Sequence, residues 1–193
     1  RRRTLHSPFR LVNRLGQLSD DEVSLRLTRA VEIASAARAI LMKSRRFPDE
    51  SFLPSAEKGG WVHVGIEPML LALSMELALK AWYVFDYNVE SYQKTHDLAK
   101  LFDDLKSASR ERLDAEFQKT VRPHHPEFVF IDQGVRQFLY GHKDAFKDWR
   151  YLHENEKVLG FDQSAFEATL EMVLREFRKR YREVAVRSVF SSI

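Results

Sequence analysis

Residues 76–105 read ELALKAWYVFDYNVESYQKTHDLAKLFDDL, a stretch that sets charges among apolar side chains. Glu76 and Lys80 stand four apart inside an apolar run, and a polar trio, Thr95, His96 and Asp97, opens the next one. That spacing, with the acid first, is the favourable order for an ion pair on a helix. On a helix this apolar the pair is at least partly buried, and a buried charge is costly unless it is paired and hydrogen-bonded. Further partners are therefore expected from other helices. The candidates are His96, Asp97, Arg150 and Tyr151, which should converge with Glu76 and Lys80 on one end or face of the fold. Arg150 is the favoured partner of Glu76, because a guanidinium can bind a carboxylate through two parallel hydrogen bonds. Two readings of the cluster stand: polar contacts that fix helix register, or a site for the phosphate of a ligand.

Working outward, Pro68 suits the first turn of the helix that carries Glu76, which should run to about Asp86 and lie centrally in the fold. Upstream, SDDEV at 19–23 reads as a capping box, Ser19 with Glu22. Val23, Leu27, Ala30, Ala34, Ala37 and Leu41 then recur at spacings of three and four, which predicts a first helix over about 20–44. Residues 45–66 hold two prolines and a glycine pair without helical period, and predict a long connection. Downstream, Thr95 can cap a third helix with Leu98, Leu101, Phe102 and Leu105 on one face, and RPHHPEF breaks the pattern after Val121. Positions 135, 138, 142, 145, 149 and 152 alternate three and four apart, predicting a fourth helix to about Lys157 before Gly160. A fifth follows from about Gln163 into the 180s on Phe166, Leu170, Val173, Phe177 and Val184. Strand signals are confined to WVHV and EFVFI. The expected fold is an all-α, up-and-down bundle of about five helices with a long loop between the first two.

The 193 residues suit one domain, 19–193, behind a basic N-terminal arm, 1–18. That arm carries Arg1, Arg2, Arg3, Arg10 and Arg14 and no acid, so it reads either as a contact for phosphates or as a solvated tail. With 44% hydrophobic residues and fourteen phenylalanines, the composition excludes a disordered chain. The absence of cysteine excludes disulfides and thiolate metal sites, and a cytoplasmic setting is the simplest expectation. The longest apolar stretch, around Met69 to Leu79, is interrupted by Ser74 and Glu76 and reads as too short and polar to span a bilayer, so no membrane partner is expected. A net charge of +3 permits a nucleic-acid partner without requiring one.

An Ala-rich first helix, ELALKA at 76–81, THDLAKLFDDL at 95–105 and FKDWRY at 146–151 follow one another in an order that resembles the HEPN family (higher eukaryotes and prokaryotes nucleotide-binding). The resemblance covers about residues 20–185. It implies a helical bundle, often dimeric, found in metal-independent ribonucleases of toxin–antitoxin and phage-defence systems. It also implies non-catalytic modules that bind RNA or a nucleotide, or that partner a nucleotidyltransferase or antitoxin. The ribonuclease members carry Arg, four to six residues, then His, in the last core helix. The match here is Arg136 and His142, with Gln137 where the family usually has a polar residue such as Asn. Histidine can take a proton near neutral pH, and arginine can stabilise a phosphorane. Six residues at about 100° each leave the two side chains about 120° apart on an ideal helix, so cooperation requires a break at Gly141 or a second protomer. His142 also falls on the apolar stripe, the position of a core histidine.

Other polar features carry less. His124 and His125 lack a carboxylate or thiol at ligand spacing, so neither a metal nor a cofactor is expected. Asp103 and Asp104 point in different directions and should face solvent. Arg136, Lys143, Arg150 and Lys157, each seven apart, trace a basic stripe along the fourth helix, with Asp144, Asp148, Glu154 and Glu156 placed to neutralise it. Phe138, Tyr140, Phe146 and Trp149 around that helix are the expected interface of a homodimer.

Overall fold

The computed structural model describes residues 20–45, 66–89, 94–125, 134–151 and 160–191; side chains are described within 28–183. The fold is an all-α helical bundle, and no strand occurs among the described residues. Its helices are α1 (Asp20–Ser44), α2 (Ile66–Tyr87), α3 (Leu98–Asp103), α4 (Ser107–Thr120), α5 (Val135–Gly141), α6 (Ala145–Arg150) and α7 (Gln163–Ser191). A 3-10 turn, Arg122–His124, follows α4. The basic arm, the long connection, WVHV and EFVFI lie outside the described residues, as do Leu152, Glu154, Glu156 and Lys157.

Helix α2 is the centre of the bundle. It packs most extensively on α1 and also meets α3, α6 and α7. Its buried face carries Leu71, Met75, Leu79, Trp82 and Phe85. Small residues let α1 approach it closely: Ala30 and Ala37 are fully buried, and the Ser74 hydroxyl donates to the Ala37 carbonyl at 2.6 Å. The Trp82 indole donates to the Val173 carbonyl of α7 at 3.2 Å and meets the edge of Phe177. Asn88 ends α2 with φ of 53°, the left-handed geometry that asparagine tolerates at a helix C-terminus. By length and composition α2 is long enough to cross a membrane, more than its interrupted apolar run suggests, but 67% of that window is buried inside the bundle.

Among the described residues seven α-helices stand where sequence periodicity predicts five, because two of the predicted helices break. The third breaks at Asp104–Lys106, where Lys106 is extended (φ −60°, ψ 147°). There the buried Asp86 carboxylate of α2 accepts the Lys106 N–H at 3.1 Å and the Ser109 hydroxyl at 2.7 Å, satisfying the first turn of α4. The fourth breaks at His142–Asp144. The His142 imidazole Nδ1 bonds the Phe138 carbonyl at 2.9 Å, the acceptor a continuing helix would give to the His142 N–H, which instead bonds Leu139. Gly141, a weak helix former, precedes the break.

Capping by aspartate recurs. Asp97, rather than the predicted Thr95, is the N-cap of α3, accepting the Lys100 N–H at 2.9 Å, while the Thr95 hydroxyl accepts the Asp97 N–H. Asp162 caps α7 through Ala165. Asp114 of α4 accepts the Val135 N–H that opens α5 at 2.8 Å, and burial raises its pKa above the ordinary 3.8.

Ion pairs fasten α7 to its neighbours. Arg45 at the end of α1 reaches Glu167 and Glu171. Arg112 of α4 bonds the buried Glu176 and grips Glu183 with two nitrogens. Burial alone would raise the Glu176 pKa, but hydrogen bonds from Lys179 and Arg112 outweigh it and hold the carboxyl below 4.5.

Candidate functional site

Glu76 and Lys80 are buried and joined, as their spacing predicts. Glu76 is 3% exposed and Lys80 5%, on the inner face of α2. One Glu76 carboxylate oxygen accepts from the Lys80 ammonium, and the other bonds His96 Nδ1 at 2.9 Å. His96 lies in the segment leading into α3, and its ring stacks on Phe146 of α6 at 5.0 Å, with 27° between the planes. Three elements thus meet at Glu76: α2, the approach to α3, and α6. Contact between His96 and Phe146 is not visible in any local pattern, since fifty residues separate them.

Arg150 does not join the cluster. It is exposed at the end of α6 with its guanidinium over the Tyr151 ring, 5.3 Å from the centroid, and Tyr151 is itself 45% exposed. Glu76 needs no guanidinium because its two oxygens already have Lys80 and His96. Asp97 serves as the α3 cap instead of contacting Lys80. The convergence therefore holds for Glu76, Lys80 and His96, and fails for Asp97, Arg150 and Tyr151.

Chemically, a buried carboxylate orients an imidazole whose side chain is 46% exposed. This is the arrangement that steers a histidine acting on a substrate proton. No described residue bonds the other ring nitrogen. Among the described residues no group of three His, Cys, Asp or Glu could hold a metal ion, and His124 is exposed on the 3-10 turn.

The two residues of the ribonuclease motif occupy separate environments. Arg136 gives Nε and a terminal nitrogen to the two oxygens of Asp103 at 2.8 and 2.9 Å, and this pairing raises its pKa. Asp103 faces solvent in part, as expected, and there pairs with Arg136 of α5, whereas one oxygen of Asp104 is buried without a hydrogen-bond partner among the described residues. His142 sits among Phe138, Phe161 and Phe166, with ring centroids 4.8 to 5.4 Å away. Burial in this aromatic nest lowers its pKa below 6.5, so the ring is held neutral.

The basic stripe loses its straight line at the break between α5 and α6. Arg136 is paired with Asp103, Lys143 lies over the Tyr140 ring at 4.6 Å, and Arg150 over Tyr151. The expected dimer face is also mostly spent on the core. Phe138 is buried, Phe146 and Trp149 pack against the core cluster, and only Tyr140 of the four is exposed. Phe146 and Trp149 lie on α6, which packs on α2.

No family model matches this chain, and no curated protein or solved structure matches it either.

Proposed function

We propose that the chain is a HEPN-like binding module that takes RNA, a nucleotide or a partner protein, as in toxin–antitoxin and phage-defence systems, and does not itself cleave RNA. The helical bundle and the union of Glu76, Lys80 and His96 support the HEPN-like reading. The observation that carries the non-catalytic part is the state of Arg136 and His142. The guanidinium is neutralised by Asp103, and the imidazole caps the Phe138 carbonyl inside a nest of phenylalanines. A phosphorane needs an unpaired cation and a base within hydrogen-bond reach of one another's substrate. Incubation of the purified protein with labelled RNA in EDTA tests this. The expected result is no cleavage above that of the His142→Ala variant; cleavage that the variant abolishes overturns it and assigns an active ribonuclease.

A further inference from the structure

An open groove of about 630 Å³ runs between α1 and α7. On α1 the positions facing it are Val31, Ala34, Arg38 and Leu41, and on α7 they include Leu174, Arg178 and Tyr181. Both rows keep the three-four spacing of a helix seam, and both place an arginine in the middle of it.

The charges in the groove are unbalanced. The one acid among its described lining residues, Glu171, is engaged by Arg45 at 2.6 Å, and Arg175 is engaged by Glu116 at 3.1 Å. Arg38, Arg178 and Arg182 line the groove, are exposed, and have no hydrogen bond or ion pair among the described residues. Three guanidinia without carboxylates therefore stand over a floor that includes the buried Leu41 and Phe177.

We propose that this groove docks an acidic amphipathic helix of a partner protein. The dimensions fit: the lining residues of each helix span eleven steps, about 17 Å at 1.5 Å per residue, which is three turns of a helix. Apolar side chains one turn apart enter the seam, and Asp or Glu between them reaches Arg38 and Arg178. Such charge-assisted bonds are bidentate and set the register of the helix. A single strand of nucleic acid fits less well. Stacked bases need a row of exposed aromatic faces, and the described aromatic residues of the groove are Tyr181, which is half-buried, and Phe177, which is buried.

This rests on the reading of the chain as a binding module and names its partner. It is tested by fluorescence anisotropy with the whole protein and a labelled peptide of about 14 residues, with leucines at i, i+3, i+7 and i+10 and glutamates beside them. A second peptide carries lysine at each glutamate. The glutamate peptide is expected to bind with Kd of about 10–100 µM, and the lysine peptide at least about tenfold more weakly. Arg38→Glu and Arg178→Glu should each weaken the glutamate peptide about tenfold, with unchanged melting temperature because neither side chain has a partner to lose. Absence of binding at about 1 mM, or equal binding of both peptides, overturns the proposal. Oligouridine bound through the same arginines overturns it in favour of nucleic acid, and a dimer that both substitutions dissociate overturns it in favour of a second copy. RNA cleavage, by contrast, would defeat only the non-catalytic reading and leave the peptide result standing.

Discussion

Replacing Glu76 by alanine removes the carboxylate that faces a 5% exposed lysine. The magnitude follows from burial. Breaking a buried pair from one side costs about 3–5 kcal/mol, since the remaining charge keeps its desolvation penalty and loses the carboxylate that faces it. For a chain of this size each kcal/mol lowers the melting temperature by about 2–4 °C, so Glu76→Ala should melt about 6–20 °C below the parent. The contribution of His96 is different in kind. Its side chain is 46% exposed, so water replaces the lost bond and His96→Ala should cost no more than about 1 kcal/mol. The double substitution Glu76→Leu with Lys80→Met removes both charges and keeps volume. It should recover most of the loss, because an apolar pair needs no compensation. Urea unfolding monitored by circular dichroism measures all four proteins. A Glu76→Ala variant within about 1 kcal/mol of the parent, or a double variant no more stable than the single, refutes the argument that the pair is structural.

Two further expectations follow from single contacts. Because burial lowers the folded pKa of His142 below 6.5, the unfolded chain takes up the proton first. The stability that the neutral ring contributes above pH 6.5 is lost as pH falls through the folded value; His142→Gln should flatten the stability profile between about pH 7 and pH 5, and equal slopes would contradict this. At Gly134 an added Cβ would stand 2.3 Å from the Asp114 oxygen that caps α5, so Gly134→Ala should cost about 1–2 kcal/mol. In an Asp114→Ala background the same change should cost almost nothing, and an undiminished cost in the double variant rules out the cap as its cause.

The long helices are legible because their apolar residues repeat over many turns. The predicted bounds of α1 coincide with Asp20–Ser44, and α7 begins at Gln163 as predicted. The Glu76–Lys80 pair is legible for the same reason, since both partners lie on one helix. What the local pattern does not contain is the pairing of distant residues. Asp86 breaks a helix twenty residues further on, and Asp103 takes up Arg136, thirty-three residues away. Arg150 illustrates the opposite error: its chemistry suits Glu76, but the break at His142 leaves it at the exposed end of α6. The groove escapes detection because its two walls are some 140 residues apart and each reads as an ordinary amphipathic helix.

The aspartate caps tie the short helices to one another. Helices as short as α3, α4 and α5, with 6, 14 and 7 residues, are marginal on their own. α2 carries the Asp86 that ties the first turn of α4, and α4 carries the Asp114 that ties the first turn of α5. Each link needs both of its helices in place, so α2, α4 and α5 stabilise one another as a connected set. An insertion or rearrangement that separates α2 from α4, or α4 from α5, removes the start signal of a helix it never touches.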